Sequence, residues 1–74
     1  MNILPNYTPI RTTNFVQFYS EGILPAEIKG IVVHYDGWNN KYTIECAFPS
    51  DTLVGGHYYD VAEVDSDDFE VINE

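Results

Sequence analysis

The side chains that could carry out chemistry are few, and their spacing matches no common catalytic or metal site. The 74-residue sequence contains two histidines, His34 and His57, and one cysteine, Cys46. A structural zinc site usually takes four Cys or His ligands, so these three widely spaced residues predict no metal site. Ser20 could be combined with His34 and an aspartate, but no nucleophile elbow surrounds it. We therefore expect a protein that is not an enzyme and binds no cofactor.

Acidic residues accumulate towards the end of the chain. Residues 60–74 contain seven acids and no base, namely Asp60, Glu63, Asp65, Asp67, Asp68, Glu70 and Glu74. The segment DSDD at residues 65–68 lacks the glycine and the flanking helices of an EF-hand calcium loop, so a solvated 3-10 turn is the simpler interpretation. The acids as a group then form either a recognition face for a basic protein or a charged sheet edge that discourages aggregation.

Three aromatic residues are candidates for a binding surface. Trp38 lies in a predicted hairpin turn, where burial is difficult, and the adjacent Tyr58 and Tyr59 point to opposite faces of a predicted strand. Exposed Trp and Tyr are typical anchors of protein interfaces, and packing against the N-terminal segment is the alternative. The candidate protein-binding residues are Trp38, Tyr58, Tyr59, Asp60, Glu63, Asp65, Asp67 and Asp68.

The overall charge restricts the classes of partner. Twelve carboxylates oppose only three bases, Arg11, Lys29 and Lys41, and the formal net charge is −9. This charge excludes direct nucleic-acid binding, which depends on neutralising phosphates, and it disfavours anionic membranes, whereas a basic protein would be attracted. No apolar run approaches the ~20 residues of a membrane helix, and no secretory signal begins the chain. A single cysteine fits a reducing compartment, so we expect a cytoplasmic protein.

The elements that would position these residues are strands. Runs of β-forming residues predict five strands at residues 13–19, 28–35, 41–48, 57–64 and 69–72, with a 3-10 turn at 65–68 before the last of them. The run 41–48 alternates cleanly, which predicts one buried and one wet face. Gly30 indicates a bulge or a close approach of another backbone. Ile23 and Leu24, in the loop before this strand, are expected to pack inward.

The first twelve residues predict an extended, irregular arm, because Pro5 and Pro9 interrupt them. The domain division is therefore an arm at residues 1–12 and a barrel domain at residues 13–74. Apolar residues between positions 3 and 10 would pack on the core or hold a second copy in a homodimer. Five short strands in one flat sheet would leave long edges, so we expect the sheet to curl into a small barrel around the hairpin DGWNN at residues 36–40.

The order of these features resembles that of SH3-like barrels. The motifs are G-I-V-V at residues 30–33, Y-T-I-E at 42–45 and D-S-D-D-F-E-V-I at 65–72. They are most similar to small bacterial SH3-like proteins of unassigned function, and the glycine-led hairpin is similar to that of KOW-type barrels. The resemblance covers residues 13–72 and implies an all-β, five-stranded SH3-like barrel. KOW barrels usually bind RNA or ribosomal neighbours through basic surfaces, which this sequence lacks, so that function does not transfer.

These observations favour a non-enzymatic protein-binding module from a bacterium or phage. In its most specific form it is an acidic inhibitor or immunity-type protein that blocks a basic, nucleic-acid-handling enzyme. The alternative is a structural or assembly subunit, or a homo-oligomeric small barrel, held in its complex by the apolar part of the arm.

Overall fold

The structure is a computed structural model that describes residues 3–72, and its elements are short strands joined by turns. The elements are β1 (Pro9–Thr12), β2 (Val16–Phe18), β3 (Gly22–Leu24), β4 (Lys29–Asp36), β5 (Lys41–Pro49), β6 (His57–Val64), a 3-10 turn (Ser66–Asp68) and β7 (Phe69–Val71). The predicted all-β class and the predicted 3-10 turn before the last strand are thus confirmed. In this part of the chain no helix has the length and apolar character needed to cross a bilayer.

All seven strands form one antiparallel sheet, which curls into a half-barrel. The strand order is β3-β2-β6-β5-β4-β1-β7. The three longest strands, β4, β5 and β6, are consecutive hairpin partners and occupy its middle. The predicted central position of the DGWNN hairpin, which joins β4 to β5, is therefore confirmed.

The prediction of five strands is wrong, because β1 and β3 add two more. β1 comes from the segment predicted as an arm and lies between β4 and β7, with Ile10 paired to Gly30 on one side and to Val71 on the other. Ile10 and Thr12 are both buried. Proline is tolerated as the first residue of a strand, so Pro9 begins β1 instead of breaking it.

The hairpin of β2 and β3 replaces the long first strand predicted at residues 13–19. Gly22 has a φ of 80°, a left-handed conformation that glycine adopts at no steric cost, and it opens β3 directly after the turn. Ile23 is exposed, contrary to the expectation that it packs inward, because side chains alternate between the two faces of a strand. Leu24 packs against the core as expected.

The core lies on the inner face of the curled sheet. Its buried hydrophobic residues are Ile10, Val16, Phe18, Val32, Tyr42, Ile44, Cys46, Ala62, Val64 and Phe69. Tyr42, Ile44 and Cys46 are the inward residues of β5, which confirms the alternation predicted for this strand. The Phe18 and Phe48 rings meet edge to face with centroids 5.3 Å apart, a favourable aromatic geometry.

Gly30 lies at a point of β4 where β5 leaves no room for a side chain. A Cβ atom at this position would lie 2.5 Å from Cys46 Sγ and 2.5 Å from the Glu45 carbonyl oxygen. The register shift in this hairpin lies elsewhere, between Val32 and His34. Of the two predictions for Gly30, the close approach is therefore confirmed and the bulge is not.

Candidate functional site

The outer face of the sheet, which points away from the core, presents a row of exposed side chains of β6 beside half-buried side chains of β5. Cross-strand pairing places Glu45 opposite Val61 and Thr43 opposite Glu63. Tyr59 lies two residues before Val61 on the same face, and it is 61% exposed. The residues between these positions of β6 are buried. The period of two in β6 therefore turns an aromatic, an aliphatic and an acidic side chain towards solvent together.

Tyr19 joins this row from a different strand. β2 pairs with β6 through Phe18 and Ala62, and the Tyr19 N–H donates to the Val61 carbonyl oxygen at 2.9 Å. The Tyr19 side chain is 89% exposed. We call the set of Tyr19, Glu45, Tyr59, Val61 and Glu63 the outer strip. It combines exposed apolar surface with two carboxylates.

The backbone next to Tyr19 is held by Asp60. Asp60 is 5% exposed, and its Oδ2 accepts hydrogen bonds from the N–H groups of Ser20 and Glu21, both at 2.8 Å. Desolvation alone would raise the pKa of the Asp60 carboxyl, but the hydrogen bonds from the Glu21, Ser20 and Val61 backbones outweigh it and hold this pKa below its ordinary value. Asp60 therefore orders the β2–β3 turn from beneath and is not the surface carboxylate that was expected.

Tyr58 also turns towards the protein. Its ring is half-buried and lies against Phe48, with centroids 5.8 Å apart, and its hydroxyl donates to the Glu21 carboxylate. That hydrogen bond, followed by desolvation, raises the pKa of Tyr58. Of the two adjacent tyrosines only Tyr59 is exposed, as the alternation along the strand predicted.

The acidic 3-10 turn lies beyond the end of β6, and two of its flanking and internal carboxylates, Asp65 and Asp68, are bonded within the protein. Asp65 Oδ1 accepts a hydrogen bond from the Lys41 ammonium at 2.9 Å, which raises the pKa of Lys41. The Asp68 carboxylate accepts from the Asp65 N–H at 3.0 Å and from Asn14 Nδ2 at 3.2 Å. Within residues 3–72, the exposed Asp67 side chain makes no such contact. Asp67 is therefore the member of this turn that is available to a partner.

Trp38 stands alone at the tip of the β4–β5 hairpin and is 98% exposed. Its N–H donates to Asp36 Oδ1 at 2.9 Å, and Asn39 Nδ2 donates to Asp36 Oδ2 at 2.7 Å. The hydrogen bond from the Asn39 side chain has the largest effect on the pKa of Asp36, followed by that from the Trp38 N–H, and both lower it. Tyr59 pairs with Ala47 far along β5, roughly 20 Å from the start of that strand at a rise of about 3.3 Å per residue. The structure therefore does not bring Trp38 and Tyr59 into one surface.

The seven acids predicted as one face are thus divided among several places. Glu63 lies on the outer strip, Asp60 is buried, and the three aspartates of the 3-10 turn lie at the end of the sheet. Glu70 accepts a hydrogen bond from Arg11 Nε at 3.0 Å across β1 and β7, and the resulting ion pair raises the pKa of Arg11. Glu74 lies outside the described residues. The acidic segment is continuous in sequence but not in space.

The residues considered for chemistry do not assemble. Across residues 3–72, no three His, Cys, Asp or Glu residues are grouped so as to hold a metal ion. His57 lies with Nε2 2.9 Å from the Tyr59 hydroxyl and Nδ1 3.0 Å from the Gly55 carbonyl oxygen. Burial, with a smaller effect from Glu45, raises the pKa of the Cys46 thiol to about 11. The reactive thiolate is therefore scarce at neutral pH.

Three members of the outer strip were not among the predicted binding residues. Glu45 lies on the wet face of the alternating run 41–48, and Val61 lies between Tyr59 and Glu63 at the same spacing, so the period of two was a signal for both. No local signal points to Tyr19. Its position beside Val61 follows from the pairing of β2 with β6, which are distant in sequence.

No protein-family model, no curated protein and no solved structure matches this chain.

Proposed function

We propose that this protein is a non-enzymatic binding module whose outer strip docks on a basic protein. The observation that carries the proposal is the exposure of Tyr19, Tyr59 and Val61 beside Glu45 and Glu63. Exposed tyrosines are effective interface anchors. Carboxylates around them attract a basic surface and accelerate association at low salt. The formal net charge of −9 acts in the same direction.

We further propose that the half-barrel is of the SH3-like type. Three features support this assignment: a central hairpin led by a strand that contains Gly30, a curled antiparallel sheet, and a 3-10 turn directly before the short last strand. In such a barrel the outer strip would be an open docking surface and not an enclosed pocket, which suits a macromolecular partner.

The most specific form of the proposal is an inhibitor or immunity-type protein of a bacterium or phage, directed at a basic, nucleic-acid-handling enzyme. Such enzymes hold phosphates with Lys and Arg side chains. Glu45 and Glu63 of the outer strip would complement that basic surface in place of the nucleic acid.

We expect capture of a basic partner to depend on the outer strip. The test is to immobilise the protein, capture proteins from its native lysate, and measure binding of the purified partner by interferometry. The double variant Tyr59→Ser with Glu63→Gln should weaken binding by at least about tenfold, because it removes an anchor and a charge. Raising the salt concentration should slow association of the unmodified protein.

The matched control is the double variant Trp38→Ser with Asp67→Asn, which removes an aromatic residue and a charge from the far end of the sheet. It is expected to bind like the unmodified protein. A partner that depends on the control residues and ignores the outer strip would move the binding surface to the acidic turn. Capture that responds to neither variant nor salt would end the proposal of electrostatic recognition.

A second candidate function is self-assembly through the edge strand β3. Among the strands of residues 3–72, β3 pairs only with β2, and its sequence GIL contains neither the Lys nor the Pro that often protects an edge. Ile23 is exposed there. The arm offers less, since the Leu4 N–H donates to the Tyr42 hydroxyl at 3.0 Å and the Tyr7 N–H to the Val32 carbonyl oxygen at 2.6 Å within the same chain.

Sedimentation of the pure protein separates the two candidates. A binding module is expected to sediment as a monomer at micromolar concentration, and Ile23→Lys should leave that result unchanged. An oligomer that Ile23→Lys converts into a monomer would establish assembly through β3, because a lysine on an edge strand opposes strand addition.

A further inference from the structure

An open groove with a volume of about 400 Å³ runs along the outer face between β2 and β6. Gln17 of β2 and Tyr19, the residue after β2, line one side of the groove. Val61 and Glu63 of β6 line the other side, and Thr43 of β5 also contributes to the lining. Phe18 and Ala62 also line it, but their side chains point into the core, so the floor of the groove is the backbone of β2 and β6. The groove is therefore aromatic on one side and aliphatic and acidic on the other.

The polar side chains of this groove have hydrogen-bonding capacity that the protein does not use. The side chains of Gln17, Thr43 and Glu63 make no hydrogen bond or salt bridge to another residue within 3–72. In the described part of the chain no Lys or Arg lines the groove, and Lys41, which lies near Glu63, is hydrogen-bonded to Asp65. The groove thus offers a carboxylate and two further oxygen acceptors without a cation of its own.

We propose that this groove binds an arginine side chain of the basic partner, an inference that rests on the proposed function. The aliphatic part of the arginine would lie against Val61, as long basic side chains cover apolar surface. Its guanidinium would pair with the Glu63 carboxylate, in a bond that two parallel N–H groups strengthen. The face of Tyr19 would stack on the guanidinium plane.

The composition of the groove favours arginine over lysine. A guanidinium has five N–H donors in a planar fork, whereas an ammonium has three and is more strongly hydrated. The acceptors on Gln17 and Thr43 flank Glu63 and would take donors that a single carboxylate leaves over. The exposed Tyr19 ring also favours arginine, because a planar guanidinium stacks on an aromatic face and an ammonium does not.

The test is a titration of ¹⁵N-labelled protein with N-acetyl-arginine amide, followed by NMR chemical shifts. The amides of Gln17, Tyr19, Thr43 and Glu63 are expected to shift together in a saturable manner. The lysine analogue should bind about threefold more weakly, and the uncharged citrulline analogue should produce no saturable shift. Glu63→Gln and Tyr19→Leu should each weaken binding of the arginine probe by about five- to tenfold.

Asp51→Asn is the matched control, because it removes one charge from an exposed loop and leaves the groove intact. It is expected to bind the arginine probe as the unmodified protein does. Shifts that centre on residues 65–68, or that persist in Glu63→Gln, would overturn the groove as the arginine site while leaving a binding module that uses another contact. If the outer-strip variant loses partner capture but the groove amides do not shift with the arginine probe, the arginine site is wrong and the binding module stands.

Discussion

Gly30→Ala is expected to lower the free energy of unfolding by about 3 kcal/mol, because the added methyl group overpacks a site where two strands nearly touch. Its Cβ would meet Cys46 Sγ and the Glu45 carbonyl oxygen, each at 2.5 Å. One of these atoms belongs to the backbone of the central strand and cannot rotate away. A domain of this length is expected to have only about 4 to 11 kcal/mol of stability, so the loss would show clearly in chemical denaturation.

Gly37→Ala is the control for this prediction. The added Cβ would find only a Tyr35 ring carbon, at 3.8 Å, so its effect should stay within about 0.5 kcal/mol. The double variant Gly30→Ala with Cys46→Ala should recover part of the loss, since it removes the sulfur but keeps the carbonyl oxygen. A Gly30→Ala protein as stable as the unmodified one would show that β5 leaves room for a methyl group at this position of β4.

Asp60→Ala is expected to lower the thermal midpoint by about 10 °C, because it removes a carboxylate that accepts from three backbone N–H groups. The N–H groups of Ser20 and Glu21 donate to it at 2.8 Å, and that of Val61 donates at 2.9 Å. Asp60→Asn should cost less, since its carbonyl oxygen can still accept. Calorimetry of the three proteins at neutral pH measures the order. Equal midpoints for the Ala variant and the unmodified protein would contradict the buried acceptor role.

The same carboxylate makes the difference between Asp60→Asn and the unmodified protein depend on pH. The pKa of Asp60 is lower in the folded state than its ordinary value, so its contribution to stability is present above the unfolded pKa of about 3.9 and is lost as the pH falls through the folded pKa. The gap between the two midpoints should therefore be widest near neutral pH and should narrow in acid. If the difference in thermal midpoint grew as the pH fell, the pKa of Asp60 would be raised on folding and not lowered.

Asp60 also connects stability to the proposed binding surface. The turn that it holds begins directly after Tyr19, whose side chain belongs to both the outer strip and the arginine groove. A variant that loosens this turn is expected to weaken binding even though Asp60 is buried and touches no partner. Its effect on affinity should therefore follow the effect on stability across Asp60→Asn and Asp60→Ala, unlike the effect of Glu63→Gln, which removes a surface contact alone.

The sequence alone determined the middle of this protein. Strands of eight or nine residues, such as β5 and β6, repeat their alternation often enough to identify both their extent and their inward face. The same alternation assigned Tyr58 and Tyr59 to opposite faces, and the cluster of Asp and Ser after Val64 identified the 3-10 turn. Each of these features depends on neighbours in the chain.

Only the tertiary structure decided what lies beside what. β1 and β3 have four and three residues, too few for a recognisable period, and they become strands because β4, β7 and β2 supply their hydrogen-bond partners. Tyr19 and Val61 are 42 positions apart in sequence and adjacent on the outer face. Asp60 belongs to a predicted acidic run, yet it is buried. Its burial is tolerated because the N–H groups of Ser20 and Glu21, which are distant in sequence, donate hydrogen bonds to its carboxylate. Local patterning gives each strand its two faces, whereas strand pairing over long sequence separations chooses which faces share a surface.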